Sequence, residues 1–244
     1  MFGIEFARLD AVAALDRIEE LAAAEPPVFV VHANAHTVNL AHADPSYRAV
    51  LKRADLVLND GKGVMMGAAI LGTPFPEDLN GNFFTPLLLR RAAQQRWSVF
   101  FYGARPGVAE RAAAGLRREL PELNIAGVRD GFTAPGQEEE LLQAIRDSGA
   151  SLLLVGLGNP GQELWLDRYL DKTGARIGAG VGAFFDFQAG AIRRAPDLMN
   201  RLGLEWLYRL VLEPGRLWHR YVVGNPAFLW RVLQERWSSR SVDR

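Results

Sequence analysis

The stretch Ala54-Asp55-Leu56-Val57-Leu58-Asn59-Asp60-Gly61-Lys62-Gly63 decides the fold. Leu56 to Asn59 reads as a short buried strand. It delivers a carboxylate, Asp60, into a glycine-bracketed turn, and an apolar run resumes at Val64. In an open α/β sheet, ligands bind at the carboxyl ends of the strands, where adjacent loops diverge. Asp60 is therefore the first candidate for chemistry. Read locally, it serves equally well as the cap of the next helix, since aspartate is a favoured N-cap.

The same strand-turn-helix pattern recurs outward from this stretch. Strands are predicted at 28–31, ending in His32-Ala33-Asn34, and at 98–102, 124–128, 151–155 and from Arg176 onward. Helical periodicity runs from Leu9 to Leu21 and over 64–71, 83–95, 107–120, 137–148 and 162–170, with breaks at Pro27, Asp44-Pro45, Pro74 and Pro76. Alternating strands and helices predict an α/β, Rossmann-like parallel sheet with helices on both faces. The expected division is a catalytic domain over 1–195 and a short helical C-terminal appendage over 196–244.

Three strands end in glycine-containing turns: Asn59 to Gly63, Tyr102 to Gly107, and Gly156 to Gly161. In a parallel sheet all three lie along one edge. Glycine lets backbone N–H groups approach an anion, and the following helix start adds partial positive charge. Gly61, Gly103, Gly156 and Gly158 are thus candidates for holding a phosphorylated ligand, with the amides Asn34 and Gln162 at neighbouring strand ends. The third turn is also a literal G-x-G-x-x-G, with Asp186 beyond the next strand. That pattern supports a rival reading, an NAD-dependent oxidoreductase; Pro160 disrupts the helix entry such a site needs.

Composition narrows the chemistry. The formal net charge over 244 residues is zero, so no global field recruits nucleic acid. There is no cysteine, hence no thiolate nucleophile or disulfide. Neither a secretion signal nor an apolar run of ~18 residues is present, so a cytoplasmic location is expected. The chain has no D-x-D pair, no metal-ligand spacing among His32, His36, His42 and His219, no G-x-S-x-G and no P-loop. No metal and no cofactor are expected. What remains is Asp60 as a general base, with arginines and helix starts to stabilise a departing diphosphate. This combination describes metal-independent transfer from a nucleotide-activated donor.

From about Val28 to Val232 the chain resembles the WecG/TagA/CpsF glycosyltransferases, glycosyltransferase family 26. The resemblance rests on Ala54 to Gly63, Tyr102-Gly103 with Pro106-Gly107-Val108, Asp130-Gly131-Phe132, Val155 to Glu163 and Gly180 to Asp186. It continues through Arg194-Ala195-Pro196, Gly203 to Leu210, Glu213-Pro214, Arg216 and Arg220-Tyr221. The resemblance implies an inverting, metal-independent enzyme that moves a sugar from a UDP-sugar to a polyprenyl-diphosphate-linked saccharide. The implied setting is cell-surface polysaccharide synthesis, at the inner face of the cell membrane. It further implies Asp60 as base, Asn34 and Gln162 as pocket residues, and Arg209 and Arg216 as tail arginines reaching the diphosphate; Arg220 belongs to the same cluster. His32, Asp78 and Phe83 depart from the family pattern, which leaves the donor sugar open and admits a neutral hexose.

The tail has its own physical signature. From Arg193 onward ten arginines face five acids, a charge of +5 against −5 for the remainder. Trp206, Trp218, Trp230 and Trp237 lie among them, a composition suited to a membrane surface. The 198–212 helix is expected to pack Leu202, Trp206 and Leu210 on the body, together with Leu217. The 228–237 segment is expected to form an interface, with membrane or with another copy in a homo-oligomer.

Overall fold

The computed structural model describes residues 1–24, 27–132, 136–192, 196, 199 and 205–242. Its strands are β1 (Val28–Ala33), β2 (Leu56–Asn59), β3 (Ser98–Gly103), β4 (Asn124–Arg129), β5 (Leu152–Gly156) and β6 (Ile177–Gly180). They form one sheet in the order β2-β1-β6-β5-β3-β4, parallel at every pairing. Parallel sheets are covered on both faces, so their strands are apolar throughout rather than alternating. Every residue of β1, β2, β5 and β6 is buried accordingly.

Helices α1 (Ala11–Ala24), α5 (Gly81–Gln94), α6 (Val108–Glu119) and α9 (Phe184–Gln188) cover one face. The other carries α2 (Ala35–Ala43), α3 (Pro45–Arg53), α4 (Lys62–Ile70), α7 (Glu138–Ser148) and α8 (Gly161–Tyr169). Successive strand residues feed opposite cores: Val28 and Val30 join the first, Phe29 and Val31 the second. This is the Rossmann-like α/β fold expected. The Asp44-Pro45 break is a double cap, in which Asp44 ends α2 and its side chain accepts from the Ser46 and Tyr47 amides at 2.8 and 3.3 Å. The glycines of β6 have a packing cause. A Cβ on Gly178 would lie 2.8 Å from Leu166, and one on Gly180 2.7 Å from Gln162, so α8 rests directly on the strand backbone.

The tail contains α10 (Glu205–Leu212), α11 (Pro214–Trp218), a π-helical turn (His219–Val223) and α12 (Gly224–Val242). The start of the expected 198–212 helix, including Leu202, lies outside the described residues. Of the side chains expected to pack, Leu217 is buried whereas Trp206 is 38% exposed. Helix α12 lies across α2 and α4. Phe228 and Val232 are buried against Gly67, where a Cβ would sit 2.9 Å from the Phe228 ring. Asn39 donates to the Gly224 carbonyl at 2.7 Å and accepts from Arg231, while Glu235 accepts from the Phe2 amide at 3.1 Å. These contacts divide the 228–237 segment expected to form an interface: Phe228 and Val232 are spent on the body. Trp230 and Trp237, each 55% exposed and edge-to-face at 6.1 Å, are what that segment presents outward. No helix among the described residues is long and apolar enough to cross a membrane.

Candidate active site

The helices that follow β1 and β6 leave on opposite faces of the sheet, α2 on one and α9 on the other. Their loops therefore diverge and open a crevice at the carboxyl edge. Asn34 and Asp60 lie on one lip. Asn34 caps α2, its Oδ1 accepting from the His36 and Thr37 amides at 3.0 and 3.2 Å. That use of Oδ1 turns Nδ2 outward, where it donates to Asp60 Oδ2 at 2.9 Å.

Asp60 does not cap α4. Its amide still donates to Ala33 O at 3.0 Å, so the chain remains extended through residue 60 and turns only at Gly61. Gly61 is the N-cap residue, with φ +87° and no side-chain cap bond. Such a φ is open to glycine and costly for most other residues, so the turn falls one residue later than the cap reading requires. Among the described residues Oδ1 of Asp60 has no hydrogen bond, which leaves it available to a substrate hydroxyl.

Asp78 supports the turn from below. Its Oδ1 accepts from the Gly61 amide at 2.8 Å, and Lys62 Nζ stands 3.8 Å from Oδ2. Burial holds the Asp78 carboxyl above its ordinary range, the charge of Asp60 pushing the same way and the Gly61 bond opposing. His32 is 5% exposed, and burial keeps its ring below the usual histidine value against the pull of Asp60. Its Nδ1 lies 3.0 Å from Leu79 O. A carbonyl can only accept, so Nδ1 carries the proton. His32 is thus a neutral ring packed on Phe84 at 5.6 Å, and at neutral pH it brings no positive charge to a phosphate.

Beyond the crevice, Gln162 is 2% exposed and both ends of its amide are bonded within the protein. Oε1 accepts from the Gly182 amide at 2.9 Å and Nε2 donates to Glu163 Oε1 at 2.8 Å. Glu163, fully buried, also accepts from Asn159 Nδ2 at 2.6 Å and Tyr47 OH at 3.0 Å. Burial pushes its carboxyl up to about 7, against the pull of these donors. Burial and the adjacent Glu163 raise the Tyr47 hydroxyl in turn.

The glycines separate into two kinds. A Cβ on Gly103 would meet Gly156 backbone at 2.5 Å, and one on Gly156 would meet the Phe185 ring at 2.7 Å. Close packing explains these two. Gly61, Gly158 and Gly182 have positive φ and nothing within 4 Å of the missing Cβ, so they border open space. Asp186 lies inside α9 rather than at the end of β6, away from where a dinucleotide ribose would need it.

From the tail, Arg220 and His219 approach the first turn of α2. Burial first, then their charges, hold His36 down to about 4. The backbone of Arg209 lies in α10 and that of Arg216 in α11, and their side chains fall outside the described atoms. Sequence reasoning missed Glu163, Tyr47 and the bond from Gly61 to Asp78. For Glu163 a signal existed: with Leu166 and Leu170 it falls on one helical stripe, all three buried.

A parallel sheet that gathers a carboxylate, its amide partner and open glycine turns at one edge crevice is the arrangement of an α/β enzyme. The chain belongs to the glycosyl transferase WecG/TagA/CpsF family, whose model matches residues 1–242. It is a glycosyltransferase, which replaces the nicotinamide-dependent alternative. Two relatives carry the name N-acetylglucosaminyldiphosphoundecaprenol N-acetyl-beta-D-mannosaminyltransferase. The one from Bacillus spizizenii is 34% identical over 206 residues, covering 84% of this chain and 79% of its own. The other, from Bacillus subtilis, is 32% identical over 193 residues, covering 79% and 73%.

Proposed function

We propose that this glycosyltransferase moves a neutral sugar from a UDP-sugar to a saccharide linked through diphosphate to a polyprenyl lipid, with inversion and without a metal. The observation that carries the reading is the Asn34–Asp60 pair, a carboxylate held through one oxygen at the lip of the crevice. In this reaction Asp60 removes the proton from an acceptor hydroxyl. The freed oxygen attacks the anomeric carbon from the face opposite the nucleotide, the bond from that carbon to the diphosphate oxygen breaks, and UDP leaves. A single displacement of this kind inverts the anomeric centre. Gly61, Gly158 and Gly182 let the donor approach the backbone, while Arg209, Arg216 and Arg220 offset the charge of the departing diphosphate. The names of the Bacillus relatives support the lipid-diphosphate acceptor.

Two further parts of the proposal concern the setting. Residues 1–195 form the catalytic domain and 196–244 the appendage. The exposed Trp206, Val211, Trp218, Trp230 and Trp237 of that appendage rest on the inner face of the cell membrane, where a lipid-linked acceptor resides. The test is Asp60→Asn assayed with UDP-sugars and a short-chain lipid-diphosphate acceptor in the presence of a chelator. Wild-type transfer persists in chelator, and the variant binds UDP within about threefold of wild type while transfer falls by ~10²- to 10⁴-fold. Retention of more than a tenth of the wild-type turnover would remove Asp60 as the base.

A further inference from the structure

We propose that Glu163 is a positioning residue that locks the Gln162 amide and, through it, the Gly182 turn on the far side of the crevice. The argument rests on donor and acceptor types. The Gly182 amide can only donate, so the end of Gln162 facing it must be Oε1, at 2.9 Å. The other end must then be Nε2, which needs an acceptor, and Glu163 Oε1 supplies one at 2.8 Å. A flipped Gln162 would set two donors against each other at Gly182 while bringing its oxygen against the carboxylate. The mismatch at Glu163 is buried and the one at Gly182 partly so, and an unpaired polar group is costly where water cannot reach it, so Glu163 favours a single orientation.

The lock reaches the site through the strand order. β6 lies between β1 and β5, and Val30 of β1 pairs with Ala179 of β6, so the turn after β6 flanks the strand end that carries Asn34. Gly180 leaves room for the Gln162 amide to cross the β6 backbone, since a Cβ there would sit 2.7 Å from Nε2. Gly81, just past the Asp78 loop, rests on the same turn, its missing Cβ falling 3.7 Å from Val181 O. Glu163 is itself anchored from two other elements, by Tyr47 of α3 and by Asn159 of the β5–α8 turn. The packed layer under α3 is thereby tied to a backbone amide at the open edge, beside the group that accepts the proton.

The proposal rests on the location of the crevice given above, and it is tested by a measurement that needs no substrate alongside one that does. In Glu163→Met the Gly182 amide, followed by NMR hydrogen exchange, exchanges at least tenfold faster than in wild type. In Glu163→Gln, which keeps an acceptor oxygen for Gln162, exchange stays within threefold. With a donor that wild type uses, Glu163→Met lowers kcat at least tenfold with KM within threefold, and Glu163→Gln restores kcat to within threefold. Tyr47→Phe removes a bond to Oε2 and leaves the Gln162 contact, so it lowers Tm without moving the Gly182 exchange rate. Unchanged exchange in Glu163→Met, or equal acceleration in Tyr47→Phe, overturns the proposal. If Glu163→Met does not fold, Glu163→Asp decides: its shorter side chain withdraws the acceptor, so faster Gly182 exchange supports the lock and unchanged exchange refutes it. Failure of wild type to use any UDP-sugar counts against the donor assignment and leaves the exchange result to judge the lock.

Discussion

Replacing Glu163 by glutamine should stabilise the protein in alkaline solution and leave it unchanged in acid. Glu163 is fully buried, and the partners that reach it, Tyr47, Asn159 and Gln162, are all uncharged. Burial lifts its carboxyl from 4.5 to about 7. That gap, at about 1.4 kcal/mol for each pH unit, is worth about 3 kcal/mol. The sign follows from proton counting. Below pH 4.5 the carboxyl is protonated both folded and unfolded, so it costs nothing. As pH rises toward 7, the unfolded chain releases a proton that the folded chain retains, and stability declines. Above about 7 the folded protein carries the whole cost of a buried carboxylate. Glutamine keeps the shape and one acceptor oxygen, has no proton to lose, and lets the Tyr47 hydroxyl turn round to accept. Urea unfolding between pH 4 and 8.5 should show the two proteins close at the acid end and the variant ahead by up to about 3 kcal/mol at the alkaline end. For a chain of this length that is roughly 6 to 12 °C in Tm. A difference that does not change with pH, or a variant less stable at pH 8, would refute the reasoning.

Two further expectations follow from the geometry around the crevice and the tail. Asn34→Asp keeps an oxygen to cap α2 but replaces the Nδ2 donor to Asp60 with a second acceptor. Thermal scans should place its Tm within about 2 °C of wild type, since Asp and Asn cap about equally well, while turnover falls at least tenfold. Phe228→Ala empties the notch at Gly67, and loss of a fully buried phenylalanine costs about 3 to 5 kcal/mol. Denaturant unfolding should show that loss, and limited proteolysis should cut α12 earlier than in wild type.

The sheet was legible because its inner strands and β2 are short, mainly apolar runs followed by glycine or a polar residue, and β2 matches its expected bounds residue for residue. β1 continues two residues past the expected Val31 because the parallel ladder holds through Ala33 opposite Asn59, and sequence carries no mark of how far a ladder persists. Asp60 as a candidate was legible from its place after a strand, but which residue caps α4 was not, since that depended on where the chain leaves the sheet. For Gln162, position at a strand end marks a candidate amide, and the family resemblance implies a pocket residue. Its burial follows from the side chain crossing β6 at Gly180, a contact between segments that sequence does not connect. The 228–237 segment was half legible: its aromatic and arginine content marks the outward face that carries Trp230 and Trp237, but not the face that packs on the body. The spacing of Phe228 and Val232, one helical turn apart, was the better guide to what touches the body.

The notch at Gly67 also sets an order of events during synthesis. Phe228 leaves the ribosome long after Gly67, and at 5 to 20 residues per second the interval is roughly 10 to 30 s. Throughout it, the outer faces of α2 and α4, the helices that follow Asn34 and Asp60, lie bare where α12 will later seat. The nascent protein thus carries Asn34 and Asp60 on an unfinished layer with apolar surface open to other chains. This is the interval in which a holding chaperone would contribute most, and a truncation anywhere before Phe228 would make that exposed state permanent.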